Sequence, residues 1–117
     1  MVAFRWVYVT CKNAGEARHL ARLALESRLA ACGNIFPVRS LYWWKGRIED
    51  SHEVALILKT RASLVRRLVT ALSKAHSYEV PCIDVLPVLA VNPSCAAWLA
   101  AETRKVAGPR SGGRRKR

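Results

Sequence analysis

Two thiols and an imidazole are the side chains of this sequence best suited to hold a soft metal ion. Cys11 closes the stretch FRWVYVTC, and His76 and Cys82 bracket HSYEVPC. Thiolate and imidazole together suit copper(I) or zinc. A second set, Tyr42, Lys59, Tyr78 and Glu79, combines an ammonium, a carboxylate and two phenols, and suits a small anion or carboxylate. Each set has a structural alternative. Cysteines in apolar surroundings are ordinary core residues, and a His ending a helix complements the helix dipole. Lys59 can cap a strand and pair with Glu79 of a neighbouring subunit. Glu49 and Asp50, with His52 beside them, offer carboxylates to harder ions. No nucleophile elbow, metalloprotease spacing or glycine-rich phosphate loop occurs, so no enzyme is expected.

The elements that must position these residues are legible in the hydrophobic pattern. Phe4 to Cys11 is β-branched and aromatic, a strand. Asn13 followed by Glu16 is a capping-box arrangement, opening a helix expected over Ala14 to Ala31 with Cys32-Gly33 after it. A second strand runs from Asn34 to Trp44, with Pro37 marking a bulge, bend or edge position. Lys45-Gly46 makes a tight hairpin turn, and the return strand runs from Ile48 to Thr60. Thr60 is expected to cap a second helix that ends near His76. A fourth strand is expected over Cys82 to Val91, and Asn92-Pro93 starts a third helix.

This order, βαββαβ with an extra C-terminal helix, is the α+β ferredoxin-like arrangement. Right-handed crossovers place both main helices on one sheet face and leave the other bare. Strands one, three and four are apolar at consecutive positions, so a bare face would exceed the apolar patch that a soluble monomer tolerates. Oligomerisation is expected to cover it. Trp43 and Trp44 face opposite ways along their strand. One ring is expected in the subunit core and the other at an interface or pocket. In the same topology the end of strand one can approach the start of strand four, which would bring Cys11, His76 and Cys82 together.

Composition narrows the class. The 117 residues are enough for one domain, and 51% are hydrophobic. No apolar run approaches the ~20 residues of a membrane span. No signal peptide is recognisable at the N-terminus. Four cysteines lie singly, with no CxxC pair, which reads as reduced thiols in a cytoplasmic protein. The net charge of +12 suggests polyanion affinity, yet seven of the Lys and Arg fall within residues 104–117, where there is no acid. The division expected is a domain over residues 1–103 and a basic, disordered tail over 104–117. An RNA-binding module shares the βαββαβ order and is the rival class. It requires aromatic rings on strand three, and Ile48 to Thr60 contains no Phe, Tyr or Trp.

The motif SLYWWKGRIEDSHEVALILKTR resembles the hallmark of the CutA family, the divalent-ion tolerance proteins. VTC with Glu16-Ala17 after it, ARLALESRLAACGNI, HSYEVP, VLPV, and Asn92-Pro93 through Trp98-Leu99 support the resemblance over about Val7 to Glu102. It implies a ferredoxin-like homotrimer whose sheets pack around a threefold axis, with Trp43 and Trp44 as interface residues. It also implies a role in tolerance of copper and other divalent metals, with copper or another divalent ion as the cofactor. The family's copper site would use Cys11 and two adjacent His at the end of helix two. Here only His76 is present, and Ala75 precedes it. Ser77, Cys82 and Lys45 stand where the family has Pro, Glu and an acid.

Overall fold

The structure is a computed structural model, and it describes residues 2–104. Strand β1 (Phe4–Cys11) leads through Asn13 into helix α1 (Ala14–Glu26), followed by β2 (Cys32–Trp44) and β3 (Arg47–Arg61). A single 3-10 turn, Ala62–Leu64, precedes α2 (Val65–Ala75), and β4 (Ile83–Pro87) and α3 (Pro93–Glu102) complete the described residues. The sheet order is β2-β3-β1-β4 with every neighbour antiparallel. The α+β, ferredoxin-like reading is correct. The expected tail beyond Arg104 lies outside the described residues.

One face of the sheet carries the core. Val7, Val9 and Cys11 of β1 stand opposite Leu58, Leu56 and Val54 of β3. They pack on Ala17, Leu20 and Ala24 of α1 and on Leu68 and Leu72 of α2. Small residues let α1 lie close to the sheet. A Cβ added at Gly33 would stand only 3.3–3.4 Å from Leu58, Ala21 and Leu56. Trp6, Tyr8 and Thr10 alternate onto the other face, opposite Lys59, Ile57 and Ala55. Neither α1 nor α2 covers this face, and Trp6, Phe36 and Leu86 remain exposed on it.

Four boundaries differ from the sequence reading. Helix α1 stops at Glu26 because Arg28 takes a left-handed conformation (φ 62°) and the Leu29 and Ala30 N–H groups return to the Ala24 carbonyl. Leu29 and Ala30 are buried as loop residues, which imitates helical periodicity. Thr60 does not cap α2. Its hydroxyl donates to the Leu29 carbonyl at 2.6 Å, fully buried, and anchors that loop. Strand β2 starts at Cys32 and runs through Pro37 without a break, because β2 is the sheet edge and Pro37 lacks only a donor that an edge can spare. Strand β4 ends at Pro87, and Leu89 beyond it is 97% exposed.

The β2–β3 hairpin projects past the helical layer. Its turn uses Lys45 (φ 49°) and Gly46 (φ 79°), both left-handed, as a tight two-residue hairpin requires. Because no helix lies beneath the tip, neither tryptophan enters the core. Trp43 is 72% exposed and Trp44 36%, which corrects the expectation that one ring would be a core residue.

Candidate functional site

The expected metal ligands fall on opposite faces of the sheet. Cys11 and His76 meet on the helix-covered face, joined by Glu16. Cys82 is two residues before Asp84, which pairs with Tyr8 on the open face, and its thiol lies 3.8 Å from the Asp84 carboxylate. The pairing of β1 with β4 does bring the two ends near each other. Side-chain alternation then sends the sulfurs apart.

Ligand atoms of Cys11, Glu16 and His76 lie within 4.8 Å of one another, the one such group among the described residues. The Glu16 oxygens and His76 nitrogens already have partners. Glu16 accepts from the Lys12 N–H (3.0 Å) and the Ser77 N–H (2.8 Å), one on each oxygen. Burial pushes its carboxyl up, but those hydrogen bonds and nearby His76 outweigh it, so the group sits below the ordinary carboxylate range. His76 Nδ1 accepts from the Tyr78 N–H at 3.1 Å, so the neutral ring carries its proton on Nε2 and donates to the Thr10 carbonyl at 2.8 Å. The Cys11 thiol is pushed up to about 11, by burial first and then by the charges of Glu16 and Glu53. A metal would need a thiolate and a free imidazole lone pair. Proximity fits a cation but donor chemistry does not. This cluster ties the end of β1, the start of α1 and the exit of α2 into one hydrogen-bonded knot.

A cavity of about 790 Å³ lies on the open face, beneath the hairpin. Tyr42, Tyr78 and Glu79 line it, as do Tyr8, Thr10, Trp43, Trp44, Glu53, Cys82 and Asp84. The structure therefore brings together three members of the second predicted set. Lys59 is not among them. Its ammonium lies 5.4 Å from the Trp6 ring centre, away from the cavity. Arg39 is the single Lys or Arg of the lining, and it is paired with Asp50 at 2.8 Å. Along β3, side-chain alternation sends Glu49 to the face opposite Asp50 and His52, and Asp50 is already engaged by Arg39.

Sequence reasoning missed Glu53. It is 7% exposed and accepts a 2.6 Å hydrogen bond from the Tyr78 hydroxyl. Burial, then the hydrogen bond and charge of Glu53, raise the Tyr78 phenol well above its ordinary value and keep it a donor. The sequence signal was a charge interrupting β3 just before its continuous apolar run. The Tyr78 ring also leans on the His76 ring, with centres 4.7 Å apart, so the segment after α2 touches both the knot and the cavity.

Residues 5–102 match the model of the CutA1 divalent ion tolerance protein family. The chain belongs to the CutA family. It is 41% identical over 83 residues to the divalent-cation tolerance protein CutA of Archaeoglobus fulgidus, covering 71% of this chain and 81% of that one. It is 42% identical over 100 residues to protein CutA of Mus musculus, covering 85% of this chain but 56% of the mouse protein. Among solved structures, CutA1 of Oryza sativa superposes with a TM-score of 0.85 at 38% identity, covering 90% and 97% of the two chains. The Archaeoglobus CutA superposes at 0.84 with 35% identity over 86% and 99%. That protein is described as periplasmic, which overturns the expectation of a cytoplasmic protein. Single, unpaired cysteines do not fix a compartment. CutA relatives are named as tolerance proteins rather than enzymes. The RNA-module alternative is not favoured, since β3 presents Glu53, Ala55, Ile57 and Lys59 to the open face and no ring.

Proposed function

We propose that this chain is one subunit of a homotrimer that serves divalent-ion tolerance by binding a small ligand rather than by catalysis. The observation that carries the reading is the open-face cavity. It has the size of an organic ligand site, with aromatic walls and a few polar groups converging in it. Trimer contact through Trp6, Phe36, Leu86 and the hairpin tryptophans Trp43 and Trp44 would cover exposed apolar surface and close the cavity from outside. A binding role suits the Cys82 thiol, which burial and the Asp84 charge raise above its ordinary value and so make a poor nucleophile. Copper or another divalent ion would then act through the ligand-bound trimer, not as a resident ion at Cys11, His76 and Cys82. The domain is proposed to end near residue 103, with residues 104–117 dispensable for assembly.

Light scattering of the full chain and of a version ending at Arg104 tests assembly. Both are expected to contain three chains per particle. A stable monomer at micromolar concentration would sink the reading. Occupation of the cavity should change the fluorescence of Trp43 and Trp44, which line it.

A further inference from the structure

The charge lining the open-face cavity is opposite to the one its sequence suggests. This inference rests on the ligand-binding reading above. Lys59, the residue that would have favoured an anion, stands against Trp6 instead. The chain has 20 Lys and Arg and only eight acids, yet three of those acids, Glu53, Glu79 and Asp84, line this one cavity. Against them stands one cation, Arg39, already paired with Asp50. Concentrating carboxylates in a concave site of a basic chain focuses a local negative potential there.

A second observation is independent of the charge count. Glu53 is more than nine-tenths buried, and only its Oε2 has a partner, the Tyr78 hydroxyl. Its Oε1 has none among the described residues. A buried carboxylate oxygen left unpaired costs free energy unless a ligand or water meets it. The rest of the wall is aromatic, and cations are attracted to aromatic faces. A bare divalent ion is a poorer match. It needs several donor atoms converging on one point, and among the described residues the one such cluster is the Cys11 knot, which lies on the other face.

We propose that the cavity binds a small organic ammonium ion, held by the free oxygen of Glu53 and flanked by the rings of Tyr8, Tyr42 and Trp44. Glu79 and Asp84 supply the longer-range attraction, and Tyr78 holds Glu53 in place.

Calorimetric titration of the full chain tests this with four probes: choline, butylammonium, butyrate and zinc. The two ammonium ions are expected to saturate at one per chain, and butyrate to give no binding. Glu53→Gln should weaken ammonium binding about tenfold or more, the scale of one hydrogen bond to a charged group. Circular dichroism and light scattering would check that the variant retains the parent's fold and assembly. Should Glu53→Gln fail to fold, the exposed Asp84→Asn carries the test, with a several-fold loss expected. Preference for butyrate over butylammonium would overturn the proposal while leaving the cavity a ligand site. Zinc binding that excludes the ammonium ions would overturn it in favour of a metal. Binding of no probe would overturn this proposal and leave the broader reading to the fluorescence assay. Ammonium binding unchanged in both variants would remove it from this cavity.

Discussion

Replacing Glu16 tests whether the Cys11–Glu16–His76 cluster is an architectural knot. Its two oxygens accept from the backbone of Lys12 and of Ser77, and Asn13 in turn accepts from the Glu16 N–H at 2.8 Å. Glu16→Ala strands two donors that join three elements. Hydrogen bonds to a charged group are each worth about 1.5–3 kcal/mol. With Lys12 and Ser77 partly open to water, the expected loss is about 3–4 kcal/mol. Glu16→Gln keeps an acceptor on one side only and is expected to lose about 1–2 kcal/mol. Guanidinium unfolding followed by circular dichroism, at matched protein concentration, measures both. The pH dependence supplies a second check. The folded carboxyl lies below the ordinary 4.5, so its stabilisation is fully present above that value. It is lost as pH falls below 4.5 through the folded value. The gap between parent and Glu16→Gln should therefore narrow in acid. A Glu16→Ala variant within 1 kcal/mol of the parent, or a gap that widens in acid, would refute the reasoning.

Two other outcomes follow from the geometry. A disulfide thiol reagent at pH 8 should label Cys82, which is exposed, well before Cys11, which is fully buried with its thiol held near 11; rapid labelling that survives Cys82→Ser and maps to Cys11 would contradict the buried placement. Gly46→Ala should cost about 1–2 kcal/mol, because a left-handed φ of 79° penalises a Cβ that would otherwise meet nothing within 4 Å; urea unfolding reads this, and an unchanged midpoint would mean that the turn is not the one described.

The fold was legible where local chemistry and pattern agreed. Asn13 and Glu16 marked the start of α1, and Lys45-Gly46 marked the turn. Legibility failed where a residue's role was decided by a distant partner. Leu29 and Ala30 looked helical because they are buried, but Arg28 had already turned the chain. Thr60 looked like a cap because hydroxyls cap helices, yet its partner is the Leu29 carbonyl, 31 residues away. In the candidate site, Tyr42, Tyr78 and Glu79 were found from residue type. Lys59 was misplaced because the register puts it opposite Trp6. Cys82 was misplaced because nearness of strand ends says nothing about which face a side chain takes. Glu53 was passed over because its partner, the Tyr78 hydroxyl, lies 25 residues away in the segment after α2.

Native mass spectrometry of the protein purified without added metal tests the central claim most directly, since one spectrum reports chain number, bound metal and bound organic ligand together. A three-chain particle without stoichiometric metal is expected, with up to one small organic cation per chain when choline is supplied. A single-chain particle, or one copper or zinc ion per chain that Cys11→Ser abolishes, would contradict it.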